Sequence, residues 1–403
     1  MKRILIIIAA VVVVIGLGVA AYFVFFNKGA SGPSDANPFG NTGDNSTVNP
    51  TTTIGVGVPS KAGEEVAPHL IKITGSPVAG GVAAFPVTSS VASSTATSTP
   101  ETEIRYIDRA SGNIYQFHLH ERTLTRLSNR TLPGIQEASW TPTASQAFVR
   151  FLSQDKEGGE HIETYVLPGN GDTGGSFLEQ DLSQATVFAS SSVLSVLSGT
   201  TGSIGSLSQA DGSGAHTVFS SPLGSLVVHP TRGSYIASTK ASSGLDGYIF
   251  SINPANGLFT RLIGPLRGLT ALPSPSGKLV LYSYVDRGAL HLSVTNTDTH
   301  ESTPLPLATM TEKCAWTSDG LTAYCAIPTT ISGTLPDDWY QGAVKTNDRI
   351  WKIDLQTRVA TLVIDPSRSG DVSLDIVNPT IDSASDVLVF RNRSDSSLWA
   401  YDL

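Results

Sequence analysis

The chain has 403 residues, a net charge of −8, 15% charged residues and two cysteines. An acidic balance without basic clusters excludes nucleic-acid binding, because neutralising phosphates takes concentrated Lys and Arg. Two cysteines outside any Cys-x-x-Cys are too few for a structural zinc site and do not suggest redox chemistry.

Residues 1–3, Met1-Lys2-Arg3, precede an uncharged run from Ile4 to Phe26 that is rich in Ile, Val, Ala and Phe. As a helix rising about 1.5 Å per residue, that run crosses a hydrocarbon core of about 30 Å. A secretory signal has a shorter apolar region followed by a small-residue cleavage site. Here the run ends on Tyr22, Phe23, Phe25 and Phe26, which favours a retained anchor over a cleaved signal. Lys2 and Arg3 place the amino terminus in the cytoplasm by the positive-inside rule, and the rest of the chain outside. Residues 27–66 are Gly, Ser, Asn, Thr and Pro with few large apolar residues, a composition expected to form a flexible linker.

Residues 67–403 carry a returning turn. It appears as Ser139-Trp140-Thr141-Pro142, Val228-His229-Pro230-Thr231-Arg232-Gly233, Leu272-Pro273-Ser274-Pro275-Ser276-Gly277 and Ala315-Trp316-Thr317-Ser318-Asp319-Gly320. Pro230, Pro275 and Ser318 lie about 45 and 43 residues apart, the period of a β-propeller blade. Two tandem units share four apolar runs. The first has runs near Ser225–His229, Tyr235–Thr239, Tyr248–Asn253 and Phe259–Ile263, and the second near Gly268–Leu272, Leu279–Val285, Leu290–Thr295 and Ser302–Leu307. Pro142 and Pro230 are about two periods apart, so a blade with an eroded turn lies between them in the Ser-rich stretch from Thr186 to Phe219. A second Ser/Thr-rich stretch, Val87–Pro100, reads as a loop insertion between strands.

The carboxyl end, Ser396–Leu403, matches the third run of a blade and lacks a fourth. His69-Leu70-Ile71-Lys72-Ile73-Thr74 has the character of a fourth run, so pairing the start of the domain with its end would close the ring and remove an exposed edge. The expectation is an all-β, seven-bladed β-propeller, with six blades as the alternative.

Cys314 and Cys325 fall opposite each other if a hairpin turns at Asp319-Gly320, which suits either a disulfide in an exported domain or two buried thiols. Asp337, Asp338, Trp339 and Tyr340 lie in an insertion at about 328–347. Carboxylates beside aromatics on a loop form the best candidate binding site for a sugar, a cation or a protein, against a reading in which the aromatics merely cap the blade. His118 and His120 share a strand face, but Glu121 points the other way, so no metal or cofactor is assigned. Asp375, Asn378, Asp382 and Asp386 read as turn residues, and Trp140, Trp316 and Trp399 as core between blades. The chain contains no Gly-x-Ser-x-Gly, His-Glu-x-x-His or phosphate loop after a strand, and no catalytic residue is assigned.

The run Asp246-Gly247-Tyr248-Ile249-Phe250-Ser251-Ile252-Asn253-Pro254, followed by Phe259-Thr260-Arg261-Leu262, resembles the repeats of TolB-like and WD40-like propellers, and the likeness covers nearly all of the chain after about Val66. The whole layout, with Lys313-Cys314-Ala315-Trp316 and Pro336-Asp337-Asp338-Trp339-Tyr340, is similar to membrane-anchored propellers of ultrasmall bacteria. That resemblance implies a fold and a place in the envelope but no activity. The expected function is therefore binding or scaffolding of an envelope protein or glycan, in a single-pass membrane protein with an extracytoplasmic propeller. The alternative is a propeller enzyme acting on envelope glycans through carboxylates in the central channel.

Overall fold

A computed structural model describes residues 60–88, 100–129, 131–172, 174–188, 192–384 and 386–403. The expected membrane helix at 4–26, most of the linker and most of the Ser/Thr-rich stretch after Val87 lie outside the described residues. No helix among the described residues is long and apolar enough to cross a membrane.

The domain is an all-β propeller built of antiparallel meanders. Helical structure among the described residues is confined to one 3-10 turn, Thr311–Lys313, and the short helices Asp337–Tyr340 and Pro366–Ser369. The recurring turn joins the first two strands of its meander. Leu226–Pro230 pairs with Tyr235–Thr239, and Cys314–Trp316 with Thr322–Pro328, each as the first two strands of its meander. The Ser-rich stretch folds as Leu182–Phe188, Ser192–Gly199, Gly202–Gln209 and His216–Ser221, a four-stranded sheet in the expected place.

The two tandem units are joined more closely than the alternation suggests. Phe259–Pro273 is one 15-residue strand that ends one meander and begins the next, giving a single seven-stranded sheet. A register shift between Arg267 and Thr270 bends it where its pairing partner changes.

The chain start and chain end do meet. Leu70–Thr74 pairs antiparallel with Leu398–Asp402, so the last sheet takes its outer strands from the amino-terminal side. Ordered pairing starts earlier than the composition suggests, because Glu64–Ala67 adds to this same sheet and Ser60–Lys61 adds to the outer edge of the first. Gly63 makes that crossing possible. It sits at φ +83 with the Phe117 ring 2.6 Å from where a Cβ would stand.

The core lies between sheets, not within one. One cluster joins Leu70, Phe390 and Trp399 of the last sheet to Tyr324 and Ile350 of the sheet before it. The next joins Ile71, Val389 and Leu398 of the last sheet to Ile104 and Phe117 of the first. Trp140 and Trp316 reach across similar boundaries, donating to the carbonyls of Gly81 and Leu272 at 3.4 and 3.1 Å. Cys314 and Cys325 are register partners, with Cα atoms 4.1 Å apart, and form a disulfide.

Candidate functional site

Residues of several meanders, among them Leu226, Leu269–Leu272 and Thr311–Glu312, line a cavity of about 620 Å³. Its wall is rich in hydroxyls and small apolar groups from Ser183 to Leu272. Charge and acid–base chemistry enter through His229, Lys240 and Glu312, with Tyr340 and Asn378 at the rim. Among the described residues lining it, Glu312 is the one carboxylate.

Glu312 is placed by the turn Thr311–Lys313, which precedes Cys314–Trp316, the first strand of its meander. Two successive side chains leave this turn in different directions. Glu312 lines the cavity, where one carboxylate oxygen accepts a hydrogen bond from the Tyr340 hydroxyl and Oε2 is buried without a partner. Burial pushes the Glu312 carboxyl up. Burial, then the Glu312 charge, pushes the Tyr340 hydroxyl up as well. Burial also holds the His229 imidazole down at about 4, so it is neutral at physiological pH.

Lys313 is fully buried and organises the insertion. Its three N–H donors face four acceptors within hydrogen-bonding distance of Nζ: Asp348 Oδ2 at 2.7 Å, Asp375 Oδ1 at 2.8 Å, Thr346 Oγ1 at 2.9 Å and the Ile376 carbonyl at 3.0 Å. Burial pushes the Asp348 carboxyl up. At Asp375 burial acts the same way, but the Lys313 charge and the hydrogen bonds from Lys313, Trp339 and Thr346 outweigh it, and that carboxyl is held down.

The four candidate residues of the insertion form the helix Asp337–Tyr340. Trp339 is 2% exposed. Its indole N–H donates to Asp375 Oδ1 at 2.9 Å, and the Lys313 ammonium and the Arg393 guanidinium lie 4.9 and 4.7 Å from its ring centroid. Trp339 therefore caps the blade and offers no open face to a ligand. Asp337 accepts from the Ser243 N–H at 2.6 Å, and Asp338 accepts from the Thr334 N–H at 2.6 Å, so both tie the loop down. Tyr340, 38% exposed and lining the cavity, is the member of the quartet that faces solvent.

The other polar candidates divide. Asp382 accepts from the Asp386 and Val387 N–H groups at 2.8 and 3.0 Å, as a turn residue does. Asp375 instead belongs to the buried network, and Asn378 sits at φ +50 in a strand irregularity at the cavity rim. At the other end of the first sheet, Glu101, His118 and Glu121 bring donor atoms within 4.8 Å of one another, a group that could hold a cation. The expectation that Glu121 points away fails because the strand ends at His118 and the chain turns through Arg122 at φ +54, which breaks the alternation. His120 lies 3.3 Å from Glu101 Oε1.

Lys313, Glu312, Asp348 and Arg393 are not picked out by sequence reasoning. One signal for the first two does exist. In register with the preceding repeat, Glu312 and Lys313 occupy the places of Leu269 and Thr270, so two charges replace an apolar residue and a hydroxyl just before the first strand of a meander.

No protein-family model matches the chain, and no curated protein matches it. Solved structures do. An oligogalacturonate lyase from Vibrio parahaemolyticus aligns over 80% of this chain and 98% of its own, with a TM-score of 0.50 and 9% identity. The hydrazine synthase of Kuenenia stuttgartiensis aligns over 75% and 92%, with a TM-score of 0.50 and 10% identity. TolB from Acinetobacter baumannii aligns over 69% and 78%, with a TM-score of 0.43 and 10% identity. At such identities the likeness is one of fold, and the chain carries a β-propeller.

Proposed function

We propose that this chain is a membrane-anchored, extracytoplasmic propeller of seven blades that binds a protein or glycan of the cell envelope at the mouth of its channel. The count of seven is supported by reading the seven-stranded sheet as two meanders that share Phe259–Pro273. Location rests on the apolar run Ile4–Phe26 and the polar stretch after it. Binding rests on one observation above the others. The cavity is lined by hydroxyls and small apolar groups, with Glu312 as the one carboxylate among the described residues that line it.

The test is crosslinking of the exported domain in intact envelopes, comparing the native chain with Tyr340→Ala and Glu312→Gln. Both variants should fold and lose capture of the same partner. Trp339 is left unchanged because it is part of the packing. Reproducible capture that neither variant weakens would remove the channel mouth as the site.

A second reading has one observation in its favour. Neutral His229 and a carboxyl with raised proton affinity, Glu312, line the same cavity, which suits an acid–base pair acting on an envelope glycan. Glycan cleavage abolished by Glu312→Gln would support it, and intact glycans after prolonged incubation with the native protein would sink it.

A further inference from the structure

We propose that Arg391, with Arg109 and Arg393, forms an oxyanion-binding site beside the channel mouth, taking a carboxylate or phosphate group of the ligand bound there.

Three segments converge at this point. Arg391 is the penultimate residue of the strand Val387–Asn392, and its register partner on the neighbouring strand Ile376–Ile381 is Val377, next to Asn378. Arg393 follows in the turn and donates to the Tyr340 carbonyl at 3.1 Å while its guanidinium lies over Trp339. Arg109 comes from the first sheet's hairpin and donates to the Gln136 side chain. Between them runs the segment Pro77–Gly80, held by N–H donation from Val78 to Ser396 at 2.9 Å and from Gly80 to Gln136 at 2.8 Å. A Cβ on Gly80 would meet the Arg391 guanidinium at 3.8 Å and the Asn378 amide nitrogen at 3.7 Å, so these donors flank the same glycine. Asn378 itself lines the 620 Å³ cavity and a second of about 360 Å³.

Arg391 has no ion pair and no side-chain hydrogen bond among the described residues, and its Nε is buried without a partner. The guanidinium is half-buried, and its inaccessible Nε loses water without gaining a protein acceptor, a cost that an anion meeting the group would offset. The neighbouring charges make the deficit larger. Arg109 and Arg393 disfavour its protonated form, and the acidic residue that favours it, Glu137, already pairs with Arg150 at 2.6 Å. In a chain of net charge −8, three guanidiniums gathered beside a cavity form a local reversal of sign. The planar fork of Arg matches carboxylate and phosphate oxygens, and Asn378 adds an uncharged donor.

The inference rests on the channel mouth being the binding face, and the experiment separates the two. Full-length protein in detergent micelles is titrated at low chloride with inorganic phosphate, sulfate and glucuronate, by calorimetry and by thermal unfolding. The native chain should bind at least one of them and unfold at a higher temperature in its presence; the strongest of the three identifies phosphate, sulfate or carboxylate as the group taken. Arg391→Met should lose at least tenfold in affinity and unfold no lower than the native chain without anion, since it removes an unpaired, half-buried charge. Arg109→Gln, changed on a hairpin turn, should weaken binding severalfold and guards against a misfolded Arg391 variant. Absence of anion-dependent stabilisation in the native chain, or its persistence in Arg391→Met, overturns the site. Envelope capture that Tyr340→Ala abolishes and Arg391→Met leaves intact also overturns the inference while preserving the channel-mouth reading. An Arg391-dependent response to anion without envelope capture does the reverse.

Discussion

Replacing Lys313 by Met isolates the group that holds the blade insertion. The substitution keeps most of the aliphatic stem and removes an ammonium that donates to two carboxylates at 2.7 and 2.8 Å, all three groups being 0% exposed. Asp348 and Asp375 then share a buried space with no cation. Breaking a buried ion pair from one side costs about 3–5 kcal/mol. The loss should appear as a lower urea midpoint with an unchanged slope, because the surface exposed on unfolding stays the same. The informative comparison is the triple variant Lys313→Met, Asp348→Asn, Asp375→Asn. It removes the stranded charges and should recover most of the loss, since an uncharged set of similar volume is often as stable as the ionic one. A single variant within about 1 kcal/mol of the native protein, or a triple variant no better than the single, would refute this account of the network.

Leu70→Ala truncates a fully buried side chain on the strand that closes the last sheet, and should cost about 2–5 kcal/mol by chemical denaturation. Replacing both Cys314 and Cys325 by Ser should cost up to about 3 kcal/mol, and the native protein treated with reductant should show the same loss. His229 is held down at about 4, so its neutral form is favoured by folding; that contribution is complete above about 6.5 and is lost as pH falls from there toward 4. His229→Gln should flatten the pH–stability curve in that interval and leave it unchanged above it. Glu312 is shifted the other way, so its contribution is present at low pH and is lost as pH rises past the ordinary carboxyl range. Glu312→Gln should therefore stabilise the protein at neutral pH more than at pH 4, by thermal unfolding.

Strand positions are legible in the sequence wherever alternation runs between turn residues. Tyr235–Thr239 stands in the structure as its pattern predicts, and Leu70–Thr74 joins Leu398–Asp402 because both carry the face a sheet needs buried. The continuity of Phe259–Pro273 is not legible, since Gly264-Pro265 and Gly268 read as breaks although a long strand bends through them. The site is harder still. A lysine in a sequence reads as a solvated charge, and the partners of Lys313 come from positions 346, 348 and 375, which are brought together only by the junction of two sheets. Trp339 shows the same limit in reverse. Beside two aspartates on an insertion it reads either as an exposed platform or as a cap on the blade, and the structure spends it on capping that junction.

The crossing made by residues 60–67 has a mechanical consequence. This segment lies first along the outer edge of the first sheet and then along the outer edge of the last, so it straps the seam where the two ends of the domain meet. A pull arriving from the residues before Ser60 would load the pairing of Ser60–Lys61 with Thr123 and Leu124 before it reached Glu64–Ala67, and both before the closing strand Leu70–Thr74. The strap acts as a fuse in series with the closure: a moderate force peels the outer pairs and lengthens the chain while the ring stays shut.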